Sequence, residues 1–250
     1  MIQTKLKYAL LVCLLQIGSV FFMSSGSFAQ STSEVGIGLG ATNYKGEISP
    51  NYRFLNNRPA FTAFYKKDLS KPLAVRGSLL LGMMRAQDED VDLPLNQFRQ
   101  ADMKTNLIEL AAGIDYNFLD YYDQHRRIRW SPYFFAGLAV ANFNNKVVLQ
   151  ENTTKPFENG WVFSIPVGLG VKYALSYHWN LGVEFAARKT ILKGGDRLDY
   201  LYRNEGPAPE LPFTNPYDKD WYFYNGISLS YTFYKIVCPD VYKKNSSLLK

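Results

Sequence analysis

Apolar and polar side chains alternate with a period of two along most of this chain. The pattern is clearest from Trp161 to Tyr173. There Trp161, Phe163, Ile165, Val167, Leu169, Val171 and Tyr173 share one face, and Val162, Ser164, Pro166, Gly168, Gly170 and Lys172 share the other. Trp179 to Arg188 repeats it, and Trp221 to Phe233 closes the series with only Asn225 interrupting the apolar face. Noisier segments at 34–44, 60–68, 73–84, 105–119 and 132–142 bring the expected strands to eight. Several exceed the ~9–11 residues that a tilted strand needs to cross a bilayer. The two faces of 60–68 look nearly alike, which makes it the weakest strand of the set.

The polar face decides the architecture. A soluble sandwich would bury the apolar face and wet the other, whereas a membrane barrel turns the apolar face to lipid and closes the polar one inward. Small residues crowd the polar face here (Gly113, Gly137, Gly168, Gly170, Gly182, Gly226), as a narrow lumen requires. Its isolated charges, Arg76, Glu109, Asp115, Lys172, Glu184 and Arg188, balance in sign, so each buried charge can find a partner. The reading is an all-β, eight-stranded antiparallel outer-membrane barrel with a filled lumen, because eight strands leave room only for side chains. Connection lengths agree: 45–59, 85–104, 143–160 and 189–220 are long, 69–72 and 174–178 short, and 120–131 intermediate. That alternation puts both termini on the periplasmic side. Aromatic residues bunch at strand ends (Trp130, Tyr133, Trp161, Tyr173, Trp179, Trp221), the girdle expected at head-group level.

Composition adds three constraints. Lys5 and Lys7, an apolar run to Met23 and the small-x-small triplet Ser27-Phe28-Ala29 predict a cleaved signal peptide over 1–29, a barrel domain over 30–235 and a periplasmic tail over 236–250. The net charge of +6 falls to +4 when Lys5 and Lys7 leave, too little to imply nucleic-acid binding. Cys13 leaves as well, so Cys238 can form neither an internal disulfide nor a thiolate metal site.

Chemistry-bearing constellations are scarce. His125 and His178 fall in expected turns with no serine and carboxylate beside them, so they read as solvated turn residues and the chain reads as no enzyme. Asp88-Glu89-Asp90 with Asp92 lacks the glycine and distal glutamate of an EF-hand and reads as a solvated loop. Gly36-x-Gly38-x-Gly40 precedes no helix and reads as lumen-facing small residues. No cofactor, metal or small-molecule substrate is expected. On the expected periplasmic face, Arg126, Arg127 and Arg129 of the 120–131 turn join Cys238, Lys243 and Lys244 of the tail as a candidate partner-binding surface.

The mature chain resembles the PorG family, outer-membrane barrel components of the type IX secretion system of Bacteroidetes. The resemblance is carried by Glu34 to Ile48, Arg58-Pro-Ala-Phe61, Phe163 to Lys172, Trp179 to Thr190 and the closing Cys238-Pro239, taken in order. It implies a scaffold that docks a periplasmic ring of PorK- and PorN-like proteins to the outer membrane. The chain departs from the family after Thr190, where Ile191 to Tyr200 stands in place of the usual acidic run. The alternative reading is a surface adhesin or ligand-binding barrel acting through its long outer loops.

Overall fold

The computed structural model describes residues 31–46, 48–88, 102–120, 129–149, 153–154, 158–191 and 220–235. Among the described residues nine strands appear in this order: β1 (Ser31–Lys45), β2 (Arg58–Asp68), β3 (Leu73–Gln87), β4 (Asp102–Asn117), β5 (Trp130–Leu149), β6 (Thr153–Thr154), β7 (Glu158–Ala174), β8 (Trp179–Ile191) and β9 (Trp221–Lys235). The sheet runs β4-β3-β2-β1-β9-β8-β7-β5, and the β4–β5 pairing closes it. Two-residue β6 only lengthens the β5 edge. The wall is therefore the eight-stranded antiparallel barrel expected from the periodicity. Thr32–Tyr234 form one compact unit. The expected signal segment and the 236–250 tail lie outside the described residues.

Each wall strand pairs with its chain neighbours in near-complete registers, such as Leu73↔Tyr116 through Gln87↔Asp102. Closure leaves no unpaired edge in the wall, the condition for a sheet to sit in hydrocarbon. Glycine is required where two walls' backbones meet. Gly113 lies opposite Gly137, and a Cβ on Gly137 would stand 2.3 Å from the Ala112 carbonyl oxygen. The strand ends at Asp68 and Leu73, Asn117 and Trp130, and Ala174 and Trp179 share one end of the barrel, called here the turn end, and the opposite strand ends share the other, the loop end.

Strand limits differ from the sequence reading at the loop end. β5 and β7 extend to Leu149 and from Glu158, so most of the expected 143–160 loop is strand. The alternation continues there, but its polarity reverses. On β4 and β5 the outward residues from Ile108 to Tyr116 and from Phe134 to Val140 are largely apolar, whereas Lys104, Asn106, Asn144 and Lys146 above them are polar and exposed. Nine residues from Ile108 to Tyr116, at ~3.4 Å each and tilted by ~40°, make a belt roughly 23 Å tall, close to the expected lipid-facing band.

Candidate functional site

The lumen is built in two storeys. In the storey nearer the turn end, every strand places an alternate polar residue inward, and the ions meet in pairs. Arg76 Nη1 lies 2.5 Å from Glu184 Oε2 and 3.9 Å from Asp115 Oδ1. Lys66 Nζ lies 2.5 Å from Asp115 Oδ2, and Lys172 Nζ 3.2 Å from Glu34 Oε2. Tyr133 donates its hydroxyl to Glu184 at 2.7 Å. Higher up, Arg188 Nε lies 2.9 Å from both oxygens of Glu109, and Tyr222 donates to Glu109 at 2.5 Å. All these residues are buried. Rings complete the packing: Lys66 stands 4.8 Å from the Tyr133 centroid, and Arg76 4.6 Å from that of Phe135. Among the described residues, Asn117 has neither amide atom hydrogen-bonded, so polar capacity remains toward the turn end.

The storey nearer the loop end is built on an apolar cluster, with Thr42, Thr105, Asn145, Thr190 and Asp220 also buried there and Thr105 hydrogen-bonded to Asn145 at 2.8 Å. Leu80, Met84, Met103, Leu107, Phe143, Val162 and Ile48 form one buried cluster with Tyr44, Tyr222 and Tyr224. Tyr44 donates to Asp220 Oδ1 at 2.7 Å, and Thr190 to the Asp220 carbonyl at 2.8 Å. Where the outer surface turns polar, the interior turns apolar. The barrel there has the polarity of a water-soluble protein, and its greasy core stoppers the lumen. This corrects the expectation of a polar inner face throughout.

The six lumen charges named from the sequence, Arg76, Glu109, Asp115, Lys172, Glu184 and Arg188, are all inside and all ion-paired. Sequence reasoning missed Glu34 and Lys66, which complete two of these pairs. The signal was parity: Lys66 shares its face with Phe64 and Thr62, and Glu34 shares its face with Gly36 and Gly38.

Of the expected docking residues, Arg129 alone is described. Its Nη2 donates to the Ser176 carbonyl at 2.7 Å, tying two turns together. Arg126, Arg127, Cys238, Lys243 and Lys244 lie outside the described residues, as does His125. His178 is no solvated turn residue. Its Nδ1 lies 2.8 Å from the Thr232 carbonyl oxygen, and its ring stacks on Tyr231 at 4.9 Å. Tyr177 and Tyr234 close on it, their own centroids 4.5 Å apart. Asp88 is buried at the end of β3, and residues 89–101 lie outside the described residues.

The β1–β2 connection forms a strap over the outside of the wall. Asn43, an outward residue of β1, donates through Nδ2 to the Arg53 carbonyl at 2.6 Å and to Asn57 Oδ1 at 2.8 Å. Tyr52 packs edge-on against Phe223 and Phe185, which face outward from β9 and β8. The following 3-10 turn, Phe54–Asn56, leaves Phe54 74% and Leu55 89% exposed. Beneath it runs a groove of about 890 Å3 along the outer wall. Among the described residues, no group of His, Cys, Asp and Glu could hold a metal ion.

The family model described as Domain of unknown function (DUF6089) matches residues 11–241. No curated protein matches the chain. Among solved structures, the chain is similar to Ail, the attachment invasion locus protein of Yersinia pestis, at 14% identity and a TM-score of 0.46, over 82% of this chain and 100% of that one. It is similar to Neisserial surface protein A at 9% identity and a TM-score of 0.46, over 82% and 97%. The N-terminal β-barrel domain of Pseudomonas aeruginosa OprF aligns at 12% identity and a TM-score of 0.44, over 82% and 100%.

Proposed function

The chain belongs to the DUF6089 family of domains of unknown function, and from that premise we propose that it is an outer-membrane structural component of a type IX-like secretion machinery that docks a periplasmic ring to the membrane. The observation that carries the reading is the stoppered lumen. A charge-paired storey below an apolar one offers no aqueous path for ions or solutes. What remains for such a barrel is placement: an apolar belt fixed in lipid, with its ends presented to partners.

In this reading the turn end faces the periplasm, and the partners are the PorK- and PorN-like ring proteins that the sequence resemblance implies. The basic turn with Arg126, Arg127 and Arg129, and the tail with Cys238, Lys243 and Lys244, form the docking face. The test is affinity capture of the tagged barrel from detergent-solubilised membranes. Ring lipoproteins are expected to co-purify, and R126E/R127E or deletion of 236–250 is expected to release them while the barrel stays folded. An unchanged complex overturns the docking face, and no ring protein in any capture overturns the reading. A second reading, a surface barrel that binds ligands through its outer loops, draws support from β5 and β7, which carry the sheet well beyond the belt. Normal secretion with lost surface binding after deletion of 195–215 would favour it.

A further inference from the structure

The strap crosses the outer wall at a level that three strands define, taking above to mean toward the loop end. On β1 it is held by Asn43, which stands between exposed Lys45 above and exposed Leu39 below. On β9 its Tyr52 packs on Phe223, between Trp221 above and exposed Ile227 below. On β8 the same ring meets Phe185, between exposed Lys189 above and exposed Val183 below. Lys189 Nζ and Trp221 belong to one level, 5.0 Å apart at the indole centroid. All three strands thus place the strap where lysines and an indole give way to aliphatic side chains. In a membrane barrel that is the boundary between head groups and hydrocarbon.

The strap is pinned on its wall side and apolar at its tip. Asn43 holds the Arg53 carbonyl and Asn57 Oδ1, and Tyr52 donates its hydroxyl to the same Oδ1 at 3.2 Å. The 3-10 turn closes on itself, with the Asn56 N–H 3.0 Å from the Arg53 carbonyl and the Asn57 N–H 3.2 Å from that of Phe54. Leu55 and Phe54 stand off the wall, the two most exposed large apolar side chains among the described residues. In water, bonds that hold such a tip open would hold an apolar patch against solvent; in the acyl layer the same exposure is favourable. Arg53 beside them is exposed, and its stem is long enough to return the guanidinium to head-group level. The inner end of the same connection lies in the lumen, where Ile48 belongs to the apolar stopper.

We propose that the strap is an interfacial membrane anchor, with Phe54 and Leu55 seated among the acyl chains of the leaflet at the loop end. The partner is bilayer hydrocarbon, and no particular head group is called for. The bonds to Asn43 keep the strap's backbone at the boundary, where head groups and water can meet its polar atoms, while the two side chains reach into the apolar layer. Because the connection begins in the stopper and ends on the lipid face, the anchor ties the rim of the barrel to the leaflet around it. The site needs only the lipid-facing wall and is independent of any role in secretion.

The full chain, with Cys13 and Cys238 replaced by serine, is given one nitroxide label through F54C, L55C, L39C or K104C and reconstituted in phosphatidylcholine vesicles. The heat-modifiable gel shift shows that each variant folds. Paramagnetic resonance then compares collisions with oxygen, which concentrates in hydrocarbon, and with a water-soluble nickel chelate. The Leu39 position reports the belt, and the Lys104 position the polar wall above it. Labels at 54 and 55 are expected to match the one at 39, with an oxygen-to-nickel ratio at least about fivefold that at 104. A ratio at 54 and 55 no greater than that at 104 puts the tip in water and overturns the proposal. Few collisions with either probe overturn it too, because a protein surface then covers the tip. An aqueous ratio at 39 is a different failure, that of the lipid-facing wall itself, and the anchor falls with it.

Discussion

Replacing Glu109 by leucine tests whether the lumen charges hold the barrel or merely occupy it. Glu109 and Arg188 are both buried, joined by two contacts of 2.9 Å. The charge centres stand ~4 Å apart, which is worth about 4 kcal/mol at an effective dielectric constant near 20. Without Glu109 the guanidinium keeps the Ala186 carbonyl at 3.4 Å and the faces of Tyr222 and Tyr224 at 5.8 and 5.6 Å. Tyr222 loses one acceptor and keeps Ser164 at 2.8 Å. An ion stranded in this way is expected to cost about 3–5 kcal/mol.

The converse change, Arg188→Leu, strands the carboxylate with the Tyr222 hydroxyl and is expected to cost a similar amount. The double replacement strands no ion, because Glu109 and Arg188 are each other's partner and Tyr222 keeps Ser164. Its cost is expected to stay below ~2 kcal/mol, giving a coupling energy of at least ~3 kcal/mol between the two sites. Urea unfolding of the barrel in lipid vesicles, followed by tryptophan fluorescence and by the heat-modifiable gel shift, supplies the three free energies. Single costs that simply add, within ~0.5 kcal/mol, would refute the view that the pair is energetically one unit.

Three further outcomes follow from the same geometry. Leu110, 67% exposed within the belt, is expected to lose ~2–4 kcal/mol on change to arginine, whereas Asn106→Arg, above the belt, costs at most ~1 kcal/mol; equal costs in vesicles would remove the lipid-facing assignment. Gly77 has open space where a Cβ would go, while a Cβ on Gly137 meets backbone at 2.3 and 2.8 Å. Gly77→Ala should therefore be neutral or gain up to ~1 kcal/mol, and Gly137→Ala should lower the urea midpoint sharply; the reverse ranking contradicts the wall contacts. The unaltered barrel is expected to be electrically silent in planar bilayers, and Phe143→Ala to cost ~3–5 kcal/mol by hollowing the apolar stopper. Steady channel-sized conductance from the unaltered chain would show that the lumen is not closed.

Much of the wall was legible because lipid imposes one rule on every strand. Ile165, Val167 and Leu169 alternate with Pro166 and Gly168, and no other environment sorts side chains so cleanly over eight segments. The inward charges were legible for the same reason, standing alone among small residues. The apolar storey was not. Leu79 to Met84 is apolar on both faces, and only the register, which sets Met84 opposite Thr105 and Leu80 opposite Glu109, shows which members point inward and at what height. Lys66 was hidden by Lys67 and Asp68 beside it, a run in which both faces look polar. The strap was invisible, because periodicity describes strands and is silent on which wall a connection folds against. Asn225 was visible as an exception, but its place in the groove beneath the strap depends on a connection meeting strands far from it in the chain.

The reversal of polarity along the strands also fixes the barrel's depth. Sinking it by four residues toward the turn end would draw Lys104, Asn106, Asn144 and Lys146 into hydrocarbon, at a cost that climbs toward ~2–4 kcal/mol for each cation as it nears the midplane. Raising it by four would wet Ile108, Leu110 and Val140, each losing its lipid cover at ~25 cal/mol per Å2 of exposed apolar area. Inside, neither displacement changes anything, because the ion pairs and the stopper travel with the wall. The membrane therefore grips this barrel from outside while its interior stays shut, and a body held at one height without a conducting path is suited to positioning whatever binds its ends.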